Sequence, residues 1–233
     1  MSQGARRRRA AADLERQDAE LGELEGALRA QAASAAEAAP AIAPAAARAG
    51  LLDLAYALEE TPLGTLLLAS SARGLVRIAY LDAALPGHEQ ALLEELAAAL
   101  SPRILRAPAR LDPVRRELEQ YFAGRRRRFE LPLDWRLVHG EFSRRVLART
   151  AAIPYGVTRT YRQVAEAAGS PRAYRAAGNA LAANPLPIVV PCHRVLASGG
   201  GLGGYTGGLE RKRALLAIER GPEHPLAASL RRA

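Results

Sequence analysis

Residues 188–195 read Ile-Val-Val-Pro-Cys-His-Arg-Val, which places the only cysteine of the chain, Cys192, directly beside His193. A single thiol cannot form an internal disulfide or a multi-cysteine zinc site, so Cys192 is either a small buried hydrophobic residue or a reactive group. The apolar residues before Pro191 predict a strand that ends at the proline. Neighbouring side chains of a strand point to opposite faces. Cys192 and His193 can therefore act together only if the backbone turns here.

A nucleophilic cysteine needs an adjacent base or cation to form its thiolate, and His193 and Arg194 are both candidates. A histidine base in turn needs a carboxylate that holds its tautomer. Only five acidic residues follow position 140, and one of them, Glu219, lies on a helix predicted to begin near Leu209. Apolar side chains flank it on that helix: Leu215, Leu216 and Ile218. The spacing leaves open whether Glu219 reaches His193.

A glycine-rich loop at residues 199–208 separates the cysteine stretch from this helix. Such a loop can close over a flat ligand. It lacks the GxxxxGK[ST] pattern and does not lie between a strand and a helix of a dinucleotide-binding unit. We therefore expect no nucleotide cofactor.

The charge of the chain is concentrated in its last third. Residues 1–50 and 51–140 are each balanced, whereas residues 141–233 hold fourteen basic against five acidic side chains, which is the whole formal excess of +9. A block of this kind predicts a polyanionic partner, because each neutralised phosphate releases counterions. A GC-rich coding bias would explain why arginine replaces lysine, but it does not explain the missing acids.

Composition divides the chain into an Ala-rich extension (1–50), an N-terminal domain (51–138), a C-terminal domain (139–222) and a tail (223–233). The extension, with its Arg6–Arg9 run and a candidate helix over residues 10–39, is predicted to be disordered or marginally helical. No stretch has the apolar length of a membrane span, and the start lacks a signal-peptide apolar segment. We expect a cytoplasmic protein whose thiol stays reduced.

The N-terminal domain is predicted to be a small α+β unit. Strand-like runs at 63–69 and 74–81 come first, and helices at 88–100 and 113–122 follow. Strands followed by helices favour the α+β class. No residue of this segment has a catalytic pattern, and the basic run at 125–128 is interpreted as a solvated turn.

The C-terminal domain is predicted to be mostly helical. A helix at 142–151 is followed by one at 161–168, capped by Thr160, and by another at 173–183. Two short helices joined by a tight turn within a basic segment indicate a helix-turn-helix. The second of these is rich in alanine, which suits entry into a DNA groove with little base readout, or close packing against a neighbour.

The motifs together carry a family resemblance. Pro191 to Val195, preceded by Asn184-Pro185 and followed by residues 204–208 and Leu209, resembles the active-site signature of the methylated-DNA-protein-cysteine methyltransferases, the O6-alkylguanine-DNA alkyltransferase family. The similarity runs from about residue 61 to 221. It implies a ribonuclease-H-like α/β domain followed by a winged helix-turn-helix domain. It also implies direct, stoichiometric transfer of an alkyl group from O6 of guanine, and also from O4 of thymine, in DNA to the chain's own cysteine.

The resemblance also implies roles for individual residues. Cys192 would accept the alkyl group, His193 would act as its base through a water molecule, Glu219 would polarise His193, and Asn184 would order the turn behind them. Tyr161 would drive rotation of the target nucleotide, and Arg175 would occupy the vacated place in the stack. The remaining roles are contacts: Ala176 and Gly178 to DNA, Leu181 and Pro187 to the flipped base, Val195 to the guanine edge, and Tyr205 and Thr206 over the base.

The resemblance implies no cofactor, double-stranded DNA bearing O6-alkylguanine as partner, no membrane, and a monomer that acts on the nucleoid. Some relatives carry zinc, but with one cysteine and four histidines in the chain we expect no metal. Two other classes stay open. One is a non-catalytic lesion-binding or regulatory protein with the same fold, and the other is a Cys-His hydrolase, which would need a preformed oxyanion pocket.

Overall fold

A computed structural model describes residues 45, 46 and 48–221. The predictions for the Arg6–Arg9 run, for a helix at 10–39 and for the tail at 223–233 lie outside these residues. Within the described part of the chain, no helix has the length and apolar character needed to cross a bilayer.

The N-terminal part is built on a four-stranded sheet with the order β3-β2-β1-β4. β1 and β2 (Leu54–Glu59, Leu66–Ser71) pair antiparallel, as do β2 and β3 (Gly74–Tyr80), while β4 (Ile104–Arg106) runs parallel to β1. β2 corresponds to the strand predicted at 63–69, shifted towards the C-terminus, and β3 corresponds to the strand predicted at 74–81 and begins at the predicted residue. β1 and β4 were not predicted. Gly74, with φ +132, allows the tight turn into β3, where an added Cβ would collide with the carbonyl of Pro132.

A helix covers each face of this sheet. Alternate residues of β1 and β2, such as Leu54 and Leu67, face α1 (His88–Ala99), which buries Leu92 and Leu96 against them. The opposite face, including Leu66 and Leu68, packs on α2 (Asp112–Phe122). The cluster under α2 continues into the C-terminal part, so its helices share a core with the sheet.

Between residues 139 and 221, the C-terminal part contains four α-helices and a two-stranded sheet. The helices are α3 (Glu141–Ala151), α4 (Tyr161–Ala167), α5 (Tyr174–Ala182) and α6 (Leu209–Arg220). β5 (Arg159–Thr160) pairs parallel with β6 (Val195–Leu196). Thr160 caps α4 through a capping box with Gln163. The expected α+β architecture is present: a small sheet with its helices comes first, and a mostly helical part follows, in which α4 and α5 form the helix-turn-helix.

The strand predicted before Pro191 is absent, and that prediction was wrong. Residues 187–189 form turns, and Ile188 is buried with a φ of 73, a left-handed conformation rare for a β-branched residue. Asn184 organises this segment: its Oδ1 accepts from the Leu186 amide at 3.0 Å, and its Nδ2 donates to the Val190 carbonyl at 2.9 Å. The residues before Pro191 are apolar because they form a buried turn, not a strand. The backbone turn required at the cysteine is present as a 3₁₀ turn, Cys192–Arg194.

β3 is an edge strand of the sheet, and its outer edge forms backbone hydrogen bonds with residues outside the sheet. The Leu75 amide donates to the Pro132 carbonyl at 2.9 Å, and the Ile78 amide donates to the Pro185 carbonyl at 2.8 Å. An edge strand covered in this way has few open backbone groups. The Leu75–Pro132 bond lies within the N-terminal part, and the Ile78–Pro185 bond joins the two parts of the chain near the cysteine segment.

Candidate functional site

A cavity of about 280 Å³ opens onto the sulfur of Cys192. Its walls come from the start of α4, the end of α5 and the glycine-rich loop. Six of its lining residues were predicted as site residues, and Ala182 and Gly204 join them. The lining consists of Tyr161, Gly178, Leu181, Ala182, Cys192, Gly204, Tyr205 and Thr206. The pocket is large enough for a small planar group and leads to one reactive atom.

Cys192 lies at the base of this pocket and is 8% exposed. Burial raises the pKa of its thiol, and the hydrogen bond that Asn184 Nδ2 donates to Sγ at 3.2 Å offsets this only in part. The thiol is therefore protonated in the resting protein. Nucleophilic use of the sulfur requires a base that takes its proton.

His193 is fully buried behind the cysteine and hydrogen-bonds to Glu219. Its Nε2 lies 2.8 Å from Glu219 Oε1, a contact that sequence spacing left open. Burial lowers the pKa of His193, and the neighbouring carboxylate opposes this without cancelling it. The imidazole is therefore neutral at neutral pH.

Glu219 fixes which nitrogen of His193 carries the proton. Burial raises the pKa of Glu219, but the hydrogen bonds from His193 and Arg194 outweigh that effect and lower the pKa to about 2. An ionised carboxylate only accepts hydrogen bonds, so Nε2 must donate. The lone pair of the ring is then on Nδ1, which is buried and has no hydrogen-bond partner among the described residues. His193 thus presents an unprotonated nitrogen that can accept a proton.

Two further donors to Glu219 were missed by sequence reasoning. Tyr121, on α2 of the N-terminal part, donates its hydroxyl to Oε1 at 2.8 Å, and the Gly156 amide donates to Oε2 at 3.0 Å. Neither residue has a sequence pattern that marks this contact, because both are distant from Glu219 along the chain. The carboxylate is therefore held by both parts of the protein.

Arg194 contacts the carboxylate, although it was one of the two candidates for activating the thiol. Its Nε and Nη2 donate to Glu219 at 2.8 to 3.1 Å, and Nη1 donates to the Ile153 carbonyl at 2.5 Å. The side chain is buried, and its guanidinium also lies over the ring of Tyr155. Arg194 neutralises the buried carboxylate.

Lys212, the only lysine of the chain, is completely buried in α6. Its ammonium donates to the carbonyls of Val195 at 2.7 Å and Gly204 at 3.2 Å, and also to that of Leu202. Burial lowers its pKa to about 8. Lys212 ties the glycine-rich loop to β6, immediately after the cysteine turn, and no sequence pattern had marked it.

Tyr161 begins α4 beside the pocket. Its hydroxyl donates to the Gly204 carbonyl at 3.4 Å, and its ring packs on Gly178 of α5, where an added Cβ would lie 3.8 Å from the ring. Arg175 and Ala176, on the first turn of α5, are exposed, whereas Ala177 and Ala180 are buried. The buried side of α5 fits the interpretation of its alanines as close packing, whereas entry of the exposed side into a DNA groove stays a prediction.

Of the remaining predicted residues, Thr206 lines the pocket, whereas Val195 and Pro187 do not. Thr206 donates its hydroxyl to the Ala182 carbonyl at 2.6 Å, which joins the glycine-rich loop to the end of α5. Val195 is buried, and Pro187 is half-buried in the turn; both lie outside the pocket lining. Their contacts with a bound base stay predictions.

Both halves of the described chain match family models. Residues 54–135 match the 6-O-methylguanine DNA methyltransferase ribonuclease-like domain, and residues 141–221 match the DNA binding domain of the same family. A methylated-DNA–protein-cysteine methyltransferase of Methanosarcina barkeri is 38% identical over 164 residues, which are 70% of this chain and 96% of the relative.

Mycobacterial proteins are similar as well. The methylated-DNA–protein-cysteine methyltransferase of Mycolicibacterium paratuberculosis is 52% identical over 104 residues, covering 45% of this chain and 62% of the relative. The chain thus spans less than two thirds of that relative's length. Among solved structures, Mycobacterium tuberculosis OGT in complex with DNA has a TM-score of 0.61 and 34% identity, and the match covers 75% of this chain and 99% of that one.

Proposed function

Because the chain belongs to the methylated-DNA–protein-cysteine methyltransferase family, we propose that it repairs DNA by moving an alkyl group from O6 of guanine to Sγ of Cys192. The observation that carries the proposal is the position of Cys192 at the base of a pocket sized for a small planar group, backed by a neutral His193 whose free nitrogen can take a proton. The geometry favours no other nucleophile in this pocket.

The proposed reaction balances without a cofactor. His193 Nδ1 takes the thiol proton through a bridging water, and Glu219 stabilises the resulting imidazolium. The sulfur attacks the alkyl carbon, an S–C bond forms, and the C–O6 bond breaks with its electron pair going to guanine. Guanine then takes up one proton, so that in net terms the thiol hydrogen replaces the alkyl group on the base.

Each protein molecule then acts once. The product on Cys192 is a thioether, which is not a leaving group under ordinary conditions, and the described residues include no second thiol that could regenerate it. O4-alkylthymine has an alkylated oxygen on a planar base and fits the same description, so we include it as a second substrate. All of the named residues belong to one chain, which makes a monomer sufficient.

Duplex DNA is the proposed partner, contacted by the outer side of α4 and α5. A base inside a duplex cannot reach a buried sulfur, so it must leave the stack, at a cost of a few kcal/mol. We assign Arg175, which is exposed at the start of α5, to filling the gap in the stack, and Tyr161, which lines the pocket, to guiding the nucleotide. The basic excess of this segment supports phosphate binding and work at the nucleoid.

A lesion-binding or regulatory protein with the same fold is not favoured, because such a protein has no use for the arrangement of Cys192, His193 and Glu219. A Cys-His hydrolase would need donors preorganised around an oxyanion. In the described residues near Cys192, the side chains of Asn184 and Lys212 donate to main-chain carbonyls and to the sulfur instead.

Mass spectrometry tests the proposal directly. The intact protein is incubated with a duplex containing one O6-methylguanine, then digested. We expect the peptide with Cys192 to gain the mass of one methylene group, up to one equivalent per protein and no further. Cys192→Ala should gain nothing while still binding the duplex, and an unlesioned duplex should leave the wild type unchanged. Absence of any mass gain on wild-type Cys192 would overturn the proposal.

A further inference from the structure

Tyr80, at the end of β3 in the N-terminal sheet, reaches the wall of the pocket from behind. Its hydroxyl lies 3.0 Å from that of Tyr205, and the two rings meet edge to face with centroids 6.3 Å apart and planes at 66°. Tyr205 lines the pocket, whereas Tyr80 lies outside the lining. The sheet thus contacts a residue of the pocket lining, although the sequence had assigned no active-site role to the N-terminal part.

Two other contacts hold the Tyr80 ring in place. Arg211 of α6 lies over it with its guanidinium carbon 4.5 Å from the centroid, and donates to the carbonyls of Leu63 at 2.8 Å and Gly207 at 3.0 Å. Gly207 itself packs so closely that an added Cβ would lie 2.5 Å from Tyr80 Cε2. Tyr80 is therefore a fixed support against which the glycine-rich loop rests.

Tyr205 depends on this support because its own loop is poor in side chains. Glycines surround it at positions 203, 204, 207 and 208, and glycine leaves the backbone conformationally free. Burial raises the pKa of both Tyr80 and Tyr205, so both hydroxyls stay protonated and form a neutral pair with one donor and one acceptor. The pair fixes the direction in which the Tyr205 ring points.

We propose that Tyr80 is a positioning residue that sets the size of the alkyl group admitted to the Cys192 pocket, by holding the Tyr205 ring as its rear wall. The inference rests on the proposed alkyl transfer and assigns the N-terminal sheet a part in substrate selection. With the hydroxyl pair intact, the pocket keeps its volume of about 280 Å³ and favours small alkyl groups. Without it, the Tyr205 ring can turn and the wall can recede.

The test compares two lesions in the same duplex, one with O6-methylguanine and one with O6-benzylguanine. Second-order rate constants of transfer are measured for the wild type and for Tyr80→Phe, which removes one hydroxyl and keeps the ring under Arg211. We expect the benzyl-to-methyl ratio of rate constants to rise by about tenfold, since one buried hydrogen bond corresponds to about an order of magnitude in an equilibrium constant.

A double-mutant cycle identifies the hydroxyl pair as the cause. Tyr205→Phe removes the same hydrogen bond from the loop side and leaves the sheet untouched, so it should raise the ratio as much as Tyr80→Phe. The double variant should add little, because the shared contact is lost only once. Tyr56→Phe is the matched control: it is a buried tyrosine of the same sheet that packs on the opposite face, against α1, and its ratio should equal that of the wild type.

The outcomes separate the two proposals. If the wild type transfers neither alkyl group, the proposed function fails. If the wild type transfers both and the ratio is the same in Tyr80→Phe and Tyr205→Phe, the positioning role of Tyr80 alone is overturned. Equal rises of the ratio in Tyr80→Phe and Tyr56→Phe would also overturn it, because the effect would then come from general loosening of the sheet.

Discussion

Replacement of Glu219 by glutamine should destabilise the protein strongly and in a pH-dependent way. The substitution keeps the size of the side chain but turns one acceptor oxygen into an amide donor. Donors from His193, Arg194, Tyr121 and Gly156 converge on the native carboxylate. In Glu219→Gln at least one of these donors faces an amide NH₂, and the buried guanidinium of Arg194 loses its counter-charge.

Two values for the loss agree in size. The pKa of Glu219 falls from 4.5 to about 2 on folding, which corresponds to about 3 kcal/mol of stability at neutral pH. Removal of one partner from a buried ion pair costs about 3–5 kcal/mol, because the remaining charge stays buried. We therefore expect the free energy of unfolding to fall by about 3 to 5 kcal/mol at neutral pH.

Urea unfolding as a function of pH measures this loss. Because folding lowers the pKa of Glu219, its contribution is complete above pH 4.5 and is lost as the pH falls towards 2. The difference in unfolding free energy between wild type and Glu219→Gln should therefore shrink over that range. The exposed Glu166 of α4 supplies the control, since Glu166→Gln should match the wild type in unfolding free energy at neutral pH. A Glu219→Gln protein as stable as the wild type at neutral pH, or a difference independent of pH, would refute the reasoning.

Three further outcomes are expected. Tyr121→Phe removes a hydroxyl that donates to the buried carboxylate at 2.8 Å, and should lower the unfolding free energy by about 2 kcal/mol in a urea titration; an unchanged midpoint would contradict this. Gly207→Ala should cost about 1–3 kcal/mol because its Cβ meets the Tyr80 ring, whereas Gly204→Ala, with open space around it, should cost little in the same thermal melts. Transfer needs a neutral imidazole, and burial lowers the pKa of His193 from 6.5, so the transfer rate should stay level as the pH falls through 6.5 and decline only below it. A decline that begins above 6.5 would contradict a lowered pKa for His193.

Helix positions were predictable because their signals are local. These signals are the Thr160 cap, the apolar spacing of α2 and the break after α4, and each acts within a few residues. The predicted helix bounds differ from the observed ones by no more than one residue at either end. β1 and β4 were missed for the opposite reason. The sequence of β1 alternates weakly, and its pairing with β4 joins residues about fifty positions apart, which no local pattern encodes.

The site residues also fall into those that local sequence motifs predict and those that depend on contacts between distant parts of the chain. The cysteine turn and the pocket residues lie in motifs whose residues could be recognised, but the roles of Tyr121, Lys212 and Tyr80 depend on contacts across the fold. The error at 188–190 has a specific cause, since a run of β-branched residues is compatible with any buried backbone. The hydrogen bonds of Asn184 close that backbone into a turn, and the sequence pattern alone does not distinguish the two.

The burial of Lys212 gives the protein an unusual response to amine-directed chemistry. The sequence has no other lysine, and this ammonium is fully enclosed by the carbonyls of the glycine-rich loop and β6. An acylating reagent applied to the folded protein should therefore leave Lys212 unmodified until the loop opens. The rate at which Lys212 is acylated, measured by peptide mass, then reports the rate of loop opening in solution. The measurement is made at a single atom and needs no introduced label.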